Sequence, residues 1–177
     1  MTNYNYQNDW FYEGQISKKL VTYFKSKGYS ILKDNSENIS TRGEDIIISY
    51  QGQQEIIEVK GYPTTVHTKG LKKGQPKPTN PKLQAKHWFS EALLSSYFNY
   101  QRHKKCGNFR LALALPLTDR YKELISKVEE FFTDNNINIK IYFVDENGAV
   151  TIDNLNRNKR KNRRQQHLAK SGMDVGN

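Results

Sequence analysis

The first helical pattern in the chain is a stripe of apolar residues close to its start. Ile16, Leu20 and Phe24 recur every four residues, which places them on one face of a helix. Gly28 then supplies a residue that commonly follows the last turn of a helix. The pattern therefore predicts a first helix from about Trp10 to Lys27.

Two later segments have the same helical periodicity. The second helix is predicted from Lys82 to about Lys104, and the third follows a cap formed by Thr118 or Asp119. The apolar faces expected to pack on a sheet are Trp88, Ala92, Leu93, Tyr97 and Tyr100 in the second helix, and Tyr121, Leu124, Ile125, Val128 and Phe132 in the third. His87 and His103 are expected at the surface.

Runs of β-branched and other apolar residues predict six strands. Their ranges are 29–33, 45–50, 54–60, 109–115, 137–144 and 149–152. A Gln-Gly turn joins the second and third of these strands as a hairpin. The resulting order, α-β-β-β-α-β followed by α-β-β, predicts an α/β (α+β) fold with a mixed central sheet flanked by helices.

The length of 177 residues suits one domain with a sizeable core, expected at 1–153 and followed by a tail at 154–177 that is expected to be disordered. Residues 64–82 are expected to form a flexible loop, because most of the prolines lie in or beside this stretch. No apolar run approaches the ~20 residues of a membrane span, and the polar start is unlike a signal peptide. A cytoplasmic protein without membrane association is therefore expected.

The hairpin carries the candidate chemistry. Alternation along a strand places Glu58 and Lys60 on one face and Ile57 and Val59 on the other. Asp45 opens the neighbouring strand, about 4.8 Å away, so its carboxylate meets them if the register allows. Two carboxylates suit Mg²⁺, which activates a water, while a nearby lysine can orient that water or stabilise a charged transition state. This set indicates metal-dependent phosphodiester hydrolysis.

An exposed hairpin whose solvent face carries charges is the alternative interpretation, since Glu-X-Lys alone is weakly specific. Residues 46–48 and 56–57 are uninterrupted isoleucines, which indicates burial on both faces of the strands. Charges that enter such strands are costly unless they are paired or bound to metal. The flanking residues therefore favour the catalytic interpretation.

The segments Gly-Glu-Asp-Ile-Ile-Ile at 43–48 and Ile-Ile-Glu-Val-Lys at 56–60 resemble those of the PD-(D/E)XK nuclease superfamily, particularly Holliday-junction resolvases and the YraN-like branch. The superfamily's acid corresponds to Asp45, and its Glu-X-Lys corresponds to Glu58-Val59-Lys60. Glu44 stands where the superfamily has a proline. The resemblance implies a restriction-endonuclease-like αβββαβ core, to which the last predicted elements add a C-terminal α-β-β extension.

The same resemblance implies a ligand set. Mg²⁺, with Mn²⁺ as a substitute, would be bound by Asp45, Glu58 and the carbonyl of Val59, and Lys60 would serve the attacking water.

Two helical residues are implied as supports for this site. Glu13 shares the sheet-packing face of the first helix and corresponds to an acid that the superfamily carries there; complementing the helix dipole is its alternative role. Gln84-Ala-Lys-His-Trp88 is similar to the Gln-X-X-X-Tyr of RecB-like members, with Trp for Tyr. The alternative for Gln84 is an ordinary polar residue at a helix start.

Positive charge is concentrated in two segments. The chain has 28 Lys and Arg against 18 Asp and Glu, a net charge of +10. The loop at 64–82 contributes Lys69, Lys72, Lys73, Lys77 and Lys82, and the tail contributes Arg157, Lys159, Arg160, Lys161, Arg163 and Arg164. Segregated positive charge is typical of a phosphate-binding surface. A tail that aids solubility, or binds nucleic acid without specificity, is the alternative for the second segment.

The sequence thus predicts a magnesium-dependent endonuclease that hydrolyses DNA, in restriction, repair, recombination or phage defence. The alternatives are a non-catalytic nucleic-acid-binding protein of the same fold and an RNA-directed nuclease. A homodimer would suit the cutting of two strands, but the sequence identifies no interface.

Overall fold

A mixed sheet forms the centre of the computed structural model, which describes residues 5–36, 43–68, 70–105 and 107–154. Its six strands are β1 (Ser30–Asp34), β2 (Ile46–Tyr50), β3 (Gln53–Val59), β4 (Phe109–Pro116), β5 (Ile139–Val144) and β6 (Val150–Asn154). They lie in the order β1-β2-β3-β4-β5-β6. The β3–β4 and β4–β5 pairs are parallel, and the other pairs are antiparallel.

The α-helices of the described residues are α1 (Glu13–Ser26), α2 (Pro81–His103) and α3 (Asp119–Asp134), and a 3₁₀ helix at Tyr6–Asn8 precedes them. Helices α2 and α3 provide the crossovers that the two parallel pairs require. The predicted element order and the α+β class with a mixed sheet are therefore confirmed.

The predicted hairpin forms around a tight turn. Gln51 and Gly52 join β2 to β3 with φ values of 49° and 77°. Positive φ at both central positions is the feature of a type I′ turn, whose twist matches that of two antiparallel strands. This turn fixes the register in which Ile46 pairs with Ile57.

Two groups of buried side chains cover the two faces of the sheet. In β4, Ala112 and Ala114 belong to the group that packs under α1, whereas Leu113 and Leu115 belong to the group under α2 and α3. This division follows from the alternation of side chains along a strand. We call the two groups the α1 cluster and the α2–α3 cluster.

The predicted inner face of α2 was wrong in part: Ala92 is buried and Leu93 packs against the α2–α3 cluster, but the two tyrosines are not on the inner face. The residues that α2 buries are Ala85, Phe89, Ala92, Ser96 and Asn99. Tyr97 and Tyr100 are instead 39% and 48% exposed. Aromatic residues lie all around this helix, so their spacing did not identify one face, and mostly small side chains face the sheet. The stripe of α3 was right, since Tyr121, Leu124, Ile125 and Phe132 are buried.

Some of the predicted features lie outside the described residues. They are Lys69, most of the polar connection before β2, and the tail cations Arg157, Lys159, Arg160, Lys161, Arg163 and Arg164. Within the described ranges, no helix combines the length and the apolar character that crossing a membrane requires.

Candidate active site

The end of β3 presents an acid and a lysine side by side. Glu58 Oε1 lies 3.1 Å from Lys60 Nζ, and the two side chains are only 8% and 15% exposed. Ile57 and Val59 belong to the α1 cluster on the opposite face. The predicted division of charged and apolar side chains between the faces of β3 is therefore confirmed.

Asp45 immediately precedes β2 and reaches the same place. Because Ile46 pairs with Ile57, the next pair in the register sets Asp45 opposite Glu58. The Val59 N–H donates a hydrogen bond of 2.7 Å to Asp45 Oδ2. The structure thus brings the two predicted carboxylates together at the end of β3.

The backbone at the end of β3 has different partners on its two edges. The Lys60 N–H donates to the Ala114 carbonyl of β4 at 3.0 Å. The N–H groups of consecutive strand residues point to opposite edges of the strand, so the Val59 N–H points toward β2. There the Asp45 carboxylate accepts its hydrogen bond. The Asp45 side chain therefore accepts the hydrogen bond that a backbone carbonyl would accept if β2 extended further.

The start of α1 packs directly against the segment that follows β3. The Tyr62 N–H donates to the Phe11 carbonyl at 2.9 Å. Gly61 permits the close approach, because a Cβ at this position would lie 2.7 Å from both Glu13 N and Phe11 O. The Tyr121 hydroxyl donates to the Gly61 carbonyl at 2.7 Å. These contacts bring Glu13, the first residue of α1, to the end of β3.

The two hairpin carboxyl groups lie in an environment that disfavours ionisation. Burial raises the pKa of Asp45 to about 6, and the charge of Glu13 adds to it, against the Val59 hydrogen bond and the Lys60 charge. Burial also raises the pKa of Glu58, and the Asp45 charge adds to the rise while Lys60 opposes it. Each acid would therefore gain from a cation placed between them.

Glu13 and Lys60 complete this electrostatic set. Burial raises the pKa of Glu13, with the Lys60 charge opposing and the Glu58 charge adding to the rise. Burial lowers the pKa of Lys60, but the surrounding charges of Glu13, Glu58 and Asp45 outweigh burial, and the pKa is raised overall. Lys60 therefore remains an ammonium ion at neutral pH.

Helix α2 covers the site from the other side. The Ser95 side chain hydrogen-bonds to Glu58 and opposes the rise in its pKa. Gln84 lies in the first turn of α2, and its Oε1 is buried without a hydrogen-bond partner among the described residues. A buried acceptor with no partner is rare in native proteins and is explained when a bound water or ligand donates to it.

The residues present fit a magnesium ion in their chemistry. In the described part of the chain, no group of three or more His, Cys, Asp or Glu side chains is arranged to hold a metal. The predicted set contains only two carboxylates, Asp45 and Glu58, with the Val59 carbonyl. Such a set agrees with Mg²⁺, which takes oxygen ligands and usually retains several waters.

The sequence did not reveal a cluster around Glu44. Lys33 Nζ lies 3.0 Å from Glu44 Oε2, while His103 Nε2 and Arg102 Nη1 lie 2.8 Å and 3.4 Å from Oε1. Partial burial raises the pKa of Glu44, but hydrogen bonds from His103 and Lys33 outweigh it and lower the value to about 2. The expectation that His103 lies at the surface was wrong, because its side chain is half-buried in this contact. His87 is exposed, as expected.

The lysine-rich loop leaves the sheet directly after Lys60. Its described residues contain a single isolated bridge, between Val66 and Pro76, in place of a helix or strand. Lys77 Nζ donates to Thr64 Oγ1 at 3.1 Å and is half-buried. The remaining lysines of the described loop, Lys72, Lys73 and Lys82, are exposed.

Comparison with known proteins finds a likeness in structure but no match in sequence. No protein-family model matches the chain. No curated protein matches it either. Among solved structures, the crystal structure of an XisH family protein from Nostoc punctiforme PCC 73102 is 20% identical, with a TM-score of 0.49. The alignment covers 78% of this chain and 95% of that one.

Proposed function

We propose that the protein is a metal-dependent nuclease that hydrolyses phosphodiester bonds in DNA. The observation that carries the proposal is the convergence of Asp45, Glu58 and Lys60 at one end of β3, in a largely buried setting. Buried charged side chains are costly unless they are paired, and those that stay unpaired are common at functional sites. In this site a single lysine cannot pair with every acid.

The proposed metal ligands are Asp45, Glu58 and the carbonyl of Val59, and the ion is Mg²⁺, for which Mn²⁺ would substitute. When bound, the ion would lower the pKa of a water and offset the negative charge that builds on phosphorus. The protein contributes the fixed positions of the two carboxylates. Asp45 is held by the Val59 N–H, and Glu58 is held by Lys60 and Ser95.

Lys60 acts as a cation in this proposal. Its raised pKa keeps the ammonium group protonated at neutral pH, so it is a poor acceptor for a proton from water. It can instead orient the attacking water and stabilise the charge that develops on the phosphate oxygens. The 3.1 Å contact with Glu58 fixes its Nζ atom for that role.

Glu13 and Gln84 support the site. Among the charges that raise the pKa of Lys60, that of Glu13 has the largest effect, so it helps to maintain the ammonium form. Gln84 contributes the buried Oε1 that has no partner among the described residues, and the O–H of a water in the site would satisfy this acceptor.

DNA is the proposed substrate because exposed lysines lie on the loop that adjoins the site. Lys72 and Lys73 are both exposed on this loop. Contacts between lysines and phosphates supply much of the affinity for DNA and steer its approach. The tail cations would add further phosphate contacts.

The test is incubation of the purified protein with supercoiled, linear, branched and single-stranded DNA, and with RNA, in Mg²⁺ or in EDTA. We expect cleavage of DNA in Mg²⁺ and none in EDTA. Tight binding without cleavage in either buffer would instead identify a non-catalytic nucleic-acid-binding protein. Cleavage restricted to RNA would identify an RNA-directed nuclease.

A further inference from the structure

Backbone hydrogen bonds join the two arms of the loop between β3 and α2, as in a hairpin. The His67 N–H donates to the Gln75 carbonyl at 2.8 Å, and the Gly74 N–H donates to the His67 carbonyl at 2.8 Å. The Lys77 N–H donates to the Thr65 carbonyl, also at 2.8 Å. These hydrogen bonds bring the two arms together at the base of the tip, residues 70–74.

Leu71 at this tip is fully exposed. Its relative exposure is 106%, whereas Leu32, Leu83 and Leu94, the other exposed leucines of the described residues, are 50–54% exposed. Lys72 and Lys73 follow it and are also exposed. The tip therefore presents one large apolar side chain beside two cations.

We propose that Leu71 is a wedge that inserts between neighbouring bases of duplex DNA while Lys72 and Lys73 contact the adjacent phosphates. This inference rests on the proposed function and identifies the DNA that the site acts on. Proteins that kink DNA insert an apolar side chain into a base step and offset the cost of unstacking with added backbone contacts. Leucine is among the residues used in this way, and lysines supply the phosphate contacts.

The surroundings of Leu71 favour DNA over a protein or a membrane. Glycines at positions 70 and 74 bracket Leu71 and the two lysines, so the tip carries no second apolar side chain. Stable protein interfaces bury a much larger surface, and membrane-bound segments present a row of apolar residues. A single leucine with flanking cations suits a narrow apolar gap between bases that is bordered by phosphates.

Both ends of the loop attach to the candidate site. The loop follows Lys60, and it ends where α2 begins, close to Gln84. A base step opened by Leu71 would therefore belong to the DNA on which the site acts. Because unstacking costs least where pairing is already disturbed, we expect tighter binding to mismatched or branched duplexes than to a regular duplex.

The test measures the unstacking of bases directly, in a buffer that contains EDTA so that the DNA is not cleaved. Duplexes carrying 2-aminopurine at successive positions are titrated with wild type, Leu71→Ser and the control Leu94→Ser, and fluorescence and anisotropy are recorded at one salt concentration. We expect wild type and Leu94→Ser to raise the fluorescence at one position. Leu71→Ser should bind roughly 3- to 30-fold more weakly and leave the probe stacked even at saturation. Leu71→Met should restore the rise, because it retains a large apolar side chain.

The wedge is overturned if wild type saturates the duplex without a fluorescence change, if Leu71→Ser gives the wild-type rise, or if wild type does not bind duplex DNA. Binding to vesicles of phosphatidylcholine and phosphatidylserine that depends on Leu71, without unstacking, would identify a membrane contact and also overturn it. The readout is independent of catalysis. A fluorescence rise in a protein that never cleaves DNA would refute the nuclease proposal and leave the wedge standing.

Discussion

Three acids and one lysine share a largely buried space at the end of β3, and their charges do not balance. Lys60 lies beside Glu58, while Asp45 is held by a backbone N–H that carries no net charge. The raised pKa of Asp45 follows from burial and from the charge of Glu13, and that of Glu58 follows from burial and from the charge of Asp45. An added cation would offset much of the free energy needed to ionise these buried carboxyl groups. The stability of the metal-free protein therefore tests the site.

Replacement of Asp45 by asparagine should stabilise the metal-free protein, and the gain should grow with pH. The pKa of Asp45 rises from 3.8 to about 6 on folding, so its contribution to stability is complete below pH 3.8 and is lost as the pH rises through 6. Asparagine retains an acceptor for the Val59 N–H but has no charge to bury. We therefore expect Asp45→Asn to gain about 1–3 kcal/mol relative to wild type between pH 4 and pH 8.

Thermal melts in EDTA across this pH range measure that difference. A constant difference between the two proteins would show that Asp45 is not buried as described. In Mg²⁺ wild type should become the more stable of the two proteins, because it should gain stability from the ion whereas Asp45→Asn should gain little. An equal Mg²⁺-induced shift in the mutant would remove Asp45 from the ligand set.

At the scale of single residues, the sequence was informative where side chains are related by local geometry. Glu58 and Lys60 share a strand face by simple alternation, and the hairpin turn sets Asp45 opposite Glu58. The Glu44 cluster could not be predicted, because Glu44 precedes β2 and His103 lies 59 positions away at the end of α2. Only the packing of α2 on the sheet brings the two together.

At the scale of elements, the junction between β3 and α1 depends on one glycine and one tyrosine. Gly61→Ala should cost about 1–3 kcal/mol, because its Cβ would clash with the backbone at Glu13 and Phe11. Tyr121→Phe should cost about 1–3 kcal/mol, because the buried hydroxyl that donates to the Gly61 carbonyl is lost.

Both changes should lower DNA cleavage more than DNA affinity, since they act on the position of Glu13 beside Lys60. Urea denaturation measures the stabilities, and single-turnover cleavage together with binding titration separates the two functional effects. If Gly61→Ala keeps wild-type cleavage at a temperature where it is fully folded, the junction does not position the site.

The loop between β3 and α2 should affect both binding and turnover. Replacement of Lys72 and Lys73 by serine removes up to two phosphate contacts, so the slope of log K against log salt should fall by about 1 to 2 units. The loop begins next to Lys60, so the rate on bound DNA should also fall. Lys104 and Lys105 are exposed at the end of α2 and provide a matched double replacement. If the two double mutants lower turnover equally, the loop lysines have no particular role in cleavage.

The elements themselves were largely predictable, and the exception has a physical cause. The stripe of α3 stands out because its other positions are polar, so periodicity alone locates the buried face. Helix α2 has apolar residues around its whole circumference, including the exposed Leu94, Phe98 and Tyr100. Periodicity cannot then choose a face, and the fit of Ala85 and Ala92 against the sheet decides it.

At the scale of the whole molecule, much of the positive charge lies in the tail, far along the sequence from the acids of the candidate site. The tail holds seven basic residues and one acidic residue, and most of the basic residues lie between Arg157 and Arg164. Strand β6 ends at Asn154, so a deletion of residues 155–177 leaves the sheet complete. We expect this deletion to flatten the salt dependence of DNA binding by roughly 3 to 5 units of slope.

Deletion of residues 165–177 alone retains the dense cations and serves as the control, with a slope close to that of wild type. Cleavage at low salt should survive both deletions, because the proposed catalytic residues precede the tail. An unchanged slope after the longer deletion would show that the tail does not contact phosphate.

The central claim, that the end of β3 is a catalytic centre, is tested most directly by Lys60→Ala. The measurement is the single-turnover rate of DNA cleavage in saturating Mg²⁺ with every protein in excess over DNA, and Lys18→Ala, an exposed lysine of α1, is the control. We predict that Lys60→Ala binds DNA as wild type does but cleaves it about 10²- to 10³-fold more slowly, while Lys18→Ala cleaves at the wild-type rate. A wild-type rate in purified, folded Lys60→Ala would contradict the claim.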